Sequence, residues 1–345
     1  MVSRPSDVSL DFDKRRRWGI LHSVNEYIML LSHLALFSNA HVVEISSLDM
    51  PPHGRCKQPS DFDFGLPQLG QHSTVREVRL RRSGPLPFFH IFPSMEVLRM
   101  HSMHTSFEKF DWRQWACTES VPLVDVTADN DDQLVCLAGM RAPTVRRLHL
   151  HAGPSRGLGD DFNAACLRPI CFVFAIEWWD APWNTDLPIW SGPLEAIASP
   201  AFGGRLRYLE VTAKCHPREE TPDLGVDLRL PALRESTLVC MRLNVEVGTL
   251  SRDVSEFDGF RMTLAKAVPS LRYVCISVDH NPQTNPFCAH YTDVHGECAW
   301  WRVRGRAGVD SERISCEAGE RVEEYLHSAE FERTMSLEGL RLDDG

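Results

Sequence analysis

The sequence lacks the features that mark secreted, membrane-spanning and nucleic-acid-binding proteins. It has no Asn-x-Ser/Thr acceptor, no apolar signal segment after the basic residues 14–17, and no uncharged stretch of the roughly 18 residues that a bilayer requires. Lys and Arg total 37 against 47 Asp and Glu, and the acidic excess lies beyond residue 150. A nucleic-acid-binding protein needs a net basic surface. These absences predict a cytoplasmic or nuclear protein that binds neither nucleic acid nor membrane.

Catalytic and disulfide signatures are also missing. The 11 cysteines are odd in number and follow no regular spacing, which favours a reducing compartment over a disulfide framework. We find no nucleophile elbow, phosphate-binding loop, dinucleotide-binding glycine motif or His-Glu-x-x-His zinc motif. The sequence therefore predicts a protein without enzymatic activity or cofactor. An enzyme whose site is assembled from scattered loops is the alternative.

One short apolar pattern recurs along the chain: an aliphatic residue, a second three positions later, and a third two positions after that. The last two face the same side of a strand, so each copy predicts a short strand with one buried side. Weaker copies begin at Val42 and Leu233, and another can be counted at Ile170-Val173-Ala175. The six clear copies are Val75-Val78-Leu80, Met95-Leu98-Met100, Val121-Val124-Val126, Val145-Leu148-Leu150, Leu206-Leu209-Val211 and Leu271-Val274-Ile276.

Such strands cannot bury their apolar sides alone, so the copies predict a stacked solenoid. The capping box Ser23-x-x-Glu26 predicts a helix within an N-terminal cap over residues 1–40. Irregular repeats follow over residues 41–280, with an insertion near 153–204. Apolar residues at helical spacing predict further helices over 253–268 and 317–335. The second of these belongs to a C-terminal loop, strand and helical cap over residues 281–345.

The copies resemble leucine-rich repeats, L-x-x-L-x-L-x-x-N/C-x-L, from about Val42 to Ile276. The first three apolar positions match, whereas the ninth position is never Asn or Cys. The resemblance implies an α/β solenoid, an irregular horseshoe with a parallel sheet on its concave side and helices and loops on its convex side.

The irregular repeat lengths and the C-terminal stretch, with Trp300-Trp301-Arg302-Val303, look like the repeat halves of fungal, basidiomycete-type F-box-like proteins. That resemblance implies the substrate-recognition part of an F-box-type ubiquitin ligase receptor. The first forty residues contain no Leu-Pro-x-Glu opening of an F-box, so binding of the ligase adaptor is expected only if such a module lies upstream. A stand-alone repeat scaffold without a ligase role is the alternative.

In leucine-rich repeats the residues between the buried aliphatics line the concave face, which is the default surface for a protein partner. Aligned Arg and His would favour an acidic or phosphorylated segment. A solvated strand face without a partner is the alternative. The candidate partner-binding residues are Arg79, Arg81, Arg99, His101, Asp125, Arg147, His149, His151, Tyr208, Glu210 and Tyr273, with Glu77, Thr127, Thr212, Glu235, Thr237, Cys275 and Ser277 on the same predicted face.

Three other clusters have competing interpretations. Cys288, His290, His295 and Cys298 combine the ligand types that zinc prefers, but without a Cys-x-x-Cys pair they form only a weak metal candidate. The run Asp125-x-Thr127-x-Asp129-x-Asp131 resembles the start of a calcium loop but lacks the Gly and Glu that such a loop needs, which favours a charged return loop. Four tryptophans favour packing of the long insertion over an interface anchor: Trp178, Trp179, Trp183 and Trp190.

Overall fold

The computed structural model describes the chain as a series of segments that form two compact units. The first unit comprises residues 1–145 with 160–167, and the second comprises residues 146–159 with 168–345. The described residues are 7–11, 39–46, 71–81, 88–101, 122–129, 133–134, 137, 145–151, 167–177, 204–214, 230–246, 254–279, 297–304 and 310–342.

The first unit is built on five parallel strands in chain order. These are β1 (Asp7–Asp11), β2 (Val42–Ser46), β3 (Glu77–Arg81), β4 (Val97–His101) and β5 (Asp125–Ala128). A short helix, α1 (Phe88–Ile91), lies between β3 and β4. From β3 to β5 the strands enter the sheet by a repeated backbone contact, in which the first N–H of the strand donates to the carbonyl of the residue just before the preceding strand.

Alternation along these strands separates a buried face from a polar face. The apolar pairs Val78 and Leu80 on β3 and Leu98 and Met100 on β4 are fully buried. The strand register places Val78 beside Leu98, so these side chains form continuous apolar rows. Burying an aliphatic side chain of this size contributes about 1.5–3 kcal/mol, which fixes which face of each strand points inward.

The second unit has five parallel strands followed by two antiparallel ones. The parallel strands are β6 (Arg147–Leu150), β7 (Cys171–Glu177), β8 (Tyr208–Lys214), β9 (Cys240–Glu246) and β10 (Tyr273–Asp279). The chain then reverses into β11 (Glu297–Arg304) and β12 (Asp310–Ile314). The helical elements are 3-10 turns at Leu230–Glu235 and Val254–Phe257 and the α-helices α2 (Asp258–Ala267), α3 (Cys316–Leu326) and α4 (Ala329–Thr334).

The predicted register holds at five strands and is wrong at four. At β5 the buried apolar side chains are Leu123, just before the strand, and Val126 and Ala128 within it, two positions after the predicted set. In β2 they are Val43 and Ile45.

The error in β7 is a shift of one residue, which exchanges the two faces of the strand. Phe172 and Phe174 are fully buried on the side where Val173 and Ala175 were expected, because Phe172 pairs with Leu148 and joins its apolar row. In β9 the repeat begins at Leu238, not at Leu233, which lies in a 3-10 turn.

The predicted C-terminal helix is two helices. Ser315 caps α3, since its Oγ accepts a hydrogen bond from Ala318 N at 3.1 Å. Ser328 caps α4 by accepting from Phe331 N at 3.1 Å. A side chain that accepts from the third following N–H starts a new helix. The continuous helix predicted over 317–335 is therefore interrupted at His327 and Ser328.

The N-terminal segment also differs from the prediction. Asp7–Asp11 forms β1 and pairs in parallel with β2, although a helical cap was expected over residues 1–40. Apolar Val8 and Leu10 alternate with polar neighbours, a pattern that favours a strand. The helix predicted from Ser23 lies outside the described residues.

In each unit the described residues form an open, mostly parallel sheet with few helices, which confirms the predicted α/β class at that level. Among these residues, no helix combines the length and the apolar character needed to cross a bilayer.

Candidate functional site

The polar face of the first unit carries the N-terminal candidate residues in register. Glu44, Arg79, Arg99 and Thr127 lie side by side on β2 to β5. Arg79 and Arg81 are exposed, Arg99 and His101 are partly exposed, and Asp125 and Thr127 are buried. The accessible part of this face is therefore centred on β3 and β4.

Glu77 joins two arginines of this face. Its Oε1 accepts from Arg79 Nε at 2.7 Å and from Arg99 Nε at 2.9 Å. Burial pushes the pKa of Glu77 upward, but the hydrogen bonds from Arg79 and Arg99 outweigh it, so its pKa is lowered. The face is thus mixed in sign, since the Glu77 carboxylate lies between two of its arginines.

Further residues of the polar face make local contacts. His101 Nδ1 lies 3.5 Å from Asp129 Oδ1. Asp125 and Thr127 belong to β5, so they are strand residues where the calcium-like pattern suggested a return loop. Asp131 lies outside the described residues.

The corresponding residues of β6 belong to the second unit. Arg147, His149 and His151 are partly exposed there. Arg146, one position earlier, binds Glu332 of α4, with Arg146 Nη2 at 2.6 Å from Glu332 Oε2. The C-terminal helices therefore contact the start of this strand.

From β7 to β11 one face of the strands is covered by α3 and α4, and at β8 and β10 this is the face that was expected to be open. Cys171, Tyr208, Cys240 and Tyr273 lie in one row across β7 to β10. They pack in one cluster with Trp300 of β11, and the helices contribute Val322, Leu326 and Phe331. The exposed fractions of Tyr208, Glu210 and Tyr273 are 0%, 8% and 7%. An open partner-binding surface at these three residues is therefore not what the structure shows, because the chain's own C-terminal helices cover them.

A buried polar network lies inside this covered face. Asn244 Nδ2 donates to Glu210 Oε1 at 2.6 Å, and Arg242 Nε donates to Asn244 Oδ1 at 3.0 Å. From α3, Glu323 Oε2 accepts from Arg242 Nη1 at 2.6 Å. Burial lowers the pKa of Arg242, but the surrounding acidic groups, Glu210 first, outweigh it, so its pKa is raised and the guanidinium stays charged.

Comparison of the chain with protein-family models, curated proteins and solved structures finds no match. The interpretation of the two faces therefore depends on their geometry.

The Tyr208 hydroxyl lies between two carboxylates of the network, those of Glu210 and Glu323. Its Oη lies 2.8 Å from Glu210 Oε2 and 3.1 Å from Glu323 Oε1. A phenol has a single hydrogen, so it donates to one carboxylate at a time. The hydroxyl donates to Glu210 or to Glu323 when Glu210 is ionised, and it is left to donate to Glu323 when Glu210 is protonated. Burial raises the pKa of Glu210, against the lowering effect of Arg242, which favours this protonated form.

Glu210→Gln is expected to reduce the loss of stability on raising the pH. An unfolded glutamate releases its proton near pH 4.3, whereas folded Glu210 holds it to a higher pH. The stability that depends on this proton is therefore fully present below about pH 4.3 and lost as the pH rises through the folded pKa. Glutamine is uncharged at every pH, so the stability of the variant should fall less than that of the wild type as the pH rises through the folded pKa of Glu210. Urea unfolding at several pH values measures this, and a difference that does not change with pH would contradict it.

The sequence did not indicate Arg242, Asn244 or Glu323. Glu235 and Thr237 were assigned to the predicted face instead, because the repeat was read from Leu233. Glu235 lies in a 3-10 turn and Thr237 precedes β9. The spacing Leu238-x-x-Met241-x-Leu243 is the signal that would have placed Arg242 and Asn244 on the face.

The zinc candidate falls mostly outside the described residues, since Cys288, His290 and His295 lie there. Its fourth member, Cys298, is on β11 next to Cys275, with 3.5 Å between the two sulfurs. The tryptophans of the insertion, Trp178 to Trp190, lie outside the described residues too.

Proposed function

We propose that this protein is a recognition module for another protein and that the polar face of the first unit is its binding surface. The supporting observation is the accessibility of Arg79 and Arg81 on an in-register strand ladder, next to partly exposed Arg99 and His101. Arg side chains bind carboxylate and phosphate in a bidentate way. The partner is an acidic or phosphorylated segment that meets β3 and β4.

The architecture that we propose is a leucine-rich-repeat solenoid. Parallel strands follow one another in chain order within each unit, and β3 to β5 and β7 to β10 begin with the same backbone contact to the preceding segment. Both features are expected when similar units stack on their neighbours. By resemblance, the role of such a module is substrate recognition for an F-box-type ubiquitin ligase.

The binding surface is tested by charge reversal. We expect Arg79→Glu with Arg81→Glu to lower recovery of the main copurifying protein at least about ten-fold, because these residues lie at the centre of the accessible face. The measurement is quantitative mass spectrometry after affinity purification of tagged protein from its own cells with the proteasome inhibited.

Arg76→Glu is the matched control. Arg76 is exposed and pairs with Glu96 at 3.1 Å, but it precedes β3 and lies off the polar face. Equal recovery by all three proteins would overturn the proposed surface. Recovery of the ligase adaptor and cullin supports the receptor role, whereas a stable partner without them supports a stand-alone scaffold.

A further inference from the structure

Three free thiols lie together where β10, β11 and the start of α3 meet. Cys275 on β10 is buried, Cys298 on β11 is partly exposed, and Cys316 opens α3 and is exposed. Cys275 Sγ and Cys298 Sγ are 3.5 Å apart. Cys316 Sγ donates to the Cys298 carbonyl oxygen at 3.1 Å. Exposure to solvent therefore increases across the cluster, from buried Cys275 to exposed Cys316.

The antiparallel pairing explains the short distance between the first two sulfurs. Cys275 is opposite Trp300, and Cys298 is opposite Ser277. The two cysteines are thus diagonal neighbours on one face of a strand pair, a wider spacing than that of directly opposite residues, and their side chains converge across it to bring the sulfurs 3.5 Å apart. A disulfide has an S–S length of about 2.05 Å, so the sulfurs must approach by about 1.5 Å, and β10 and β11 must shift locally to bring a diagonal pair into bonding range.

The two thiols differ in acidity. The S–H of Cys275 hydrogen-bonds to Cys298 and lowers the pKa of Cys298 to about 7, against the opposing effect of burial. Burial raises the pKa of Cys275 itself well above its usual range. Cys298 is the more accessible of the two thiols, so peroxide reaches it first; Cys298 is therefore the nucleophile of the pair, and the buried Cys275 is the second thiol.

We propose that Cys298 is an oxidation site for peroxide and that Cys275 turns the oxidised sulfur into an intrachain disulfide. This property is independent of the proposed recognition function. The observations that support it are the sulfur–sulfur distance, the diagonal pairing, and the partial exposure of Cys298 beside a buried second thiol.

The reaction balances with hydrogen peroxide as the oxidant. The Cys298 thiolate attacks one peroxide oxygen, the O–O bond breaks, and a sulfenic acid and hydroxide form. The Cys275 sulfur then attacks the Cys298 sulfur, forming the S–S bond as the S–O bond breaks. The released hydroxide and the Cys275 proton leave as water. Two thiols are oxidised and one peroxide is reduced to two waters.

The test is disulfide mapping of the full chain after brief treatment with hydrogen peroxide and alkylation of remaining thiols. Trypsin leaves Cys275, Cys288 and Cys298 in one peptide, residues 273–302. We therefore use a Cys288→Ser background and cleave additionally after Glu297. The expected result is that the fragment with Cys275 and the fragment with Cys298 stay linked until a reductant is added.

Three variants make the result specific. Cys298→Ser should abolish the link, Cys275→Ser should leave a sulfenic acid at Cys298 that a dimedone reagent traps, and Cys316→Ser should keep the yield within about two-fold. Far-UV circular dichroism before oxidation shows that each variant is folded, and Cys298→Ala replaces Cys298→Ser if it is not. Complete alkylation of Cys298 after peroxide, or a disulfide from Cys298 to Cys316, would overturn the proposal.

Discussion

Gly319→Ala is expected to destabilise the protein by about 2–3 kcal/mol, the cost of overpacking a filled core. Gly319 is buried in α3, and a methyl group at this position would overlap the indole ring of Trp300. Trp300 is itself 1% exposed on β11, so it has little room to move aside. Alanine normally stabilises a helix relative to glycine, so the sign of the effect is diagnostic. Urea unfolding followed by tryptophan fluorescence measures it.

Gly259→Ala is the matched control for this prediction. Gly259 lies in α2, is exposed, and has open space where the methyl group would go. The same substitution should stabilise the protein there by about 0.5–1 kcal/mol. If Gly319→Ala were as stabilising as Gly259→Ala, α3 would not pack against Trp300 and the covered face would have to be abandoned.

Arg242→Met is expected to cost about 3 kcal/mol. The Arg242 side chain is 15% exposed and forms the ion pair with Glu323, which is 20% exposed. Removing one partner of a mostly buried pair leaves the other charge without compensation, and that penalty exceeds the loss of the pair itself. Because Glu323 belongs to α3, near-UV circular dichroism should also report loosened packing of the helix on the sheet.

Arg321→Met tests whether burial causes this loss. Arg321 forms an ion pair with Glu317 at 2.7 Å on the same helix, but its side chain is 43% exposed and that of Glu317 is 75% exposed. Exposed pairs of this kind contribute less than about 0.5 kcal/mol. Equal costs for Arg242→Met and Arg321→Met would mean that the Arg242 network is not an internal feature of the fold.

A strand and its buried face could be predicted from the sequence where the three spaced aliphatic residues offered a single apolar register. At β3, β4, β6, β8 and β10 the spacing identified both the strand and its buried face, because no neighbouring residue offered a second choice. At β7 the template favoured aliphatic Val173 and Ala175 over the larger Phe172 and Phe174. Their greater burial decides the register in the structure.

The types of residue on the outward-facing side of the strands indicate which part of the sheet is covered. On β10 the residues between the aliphatics are Tyr273, Cys275 and Ser277, whereas on β3 they are Glu77, Arg79 and Arg81. A strand with apolar or uncharged residues on both sides is typical of a sheet covered on both sides. The spacing of apolar residues along the strands could not predict that α3 and α4 cover this face. The contacts that hold the helices there, such as the Arg242–Glu323 pair, join residues 81 positions apart in the sequence.

The reversal of the chain after β10 limits how this protein can grow in evolution. A parallel array lengthens by duplication, since every strand enters its sheet from the same end and offers the next strand the same edge. β11 and β12 run the other way, and β12 carries exposed charged residues, which discourage further pairing. Additional repeats inserted before β10 would leave the antiparallel strands β11 and β12 unchanged. Related proteins are therefore expected to differ in length among the parallel strands that precede β10 and the loops that connect them.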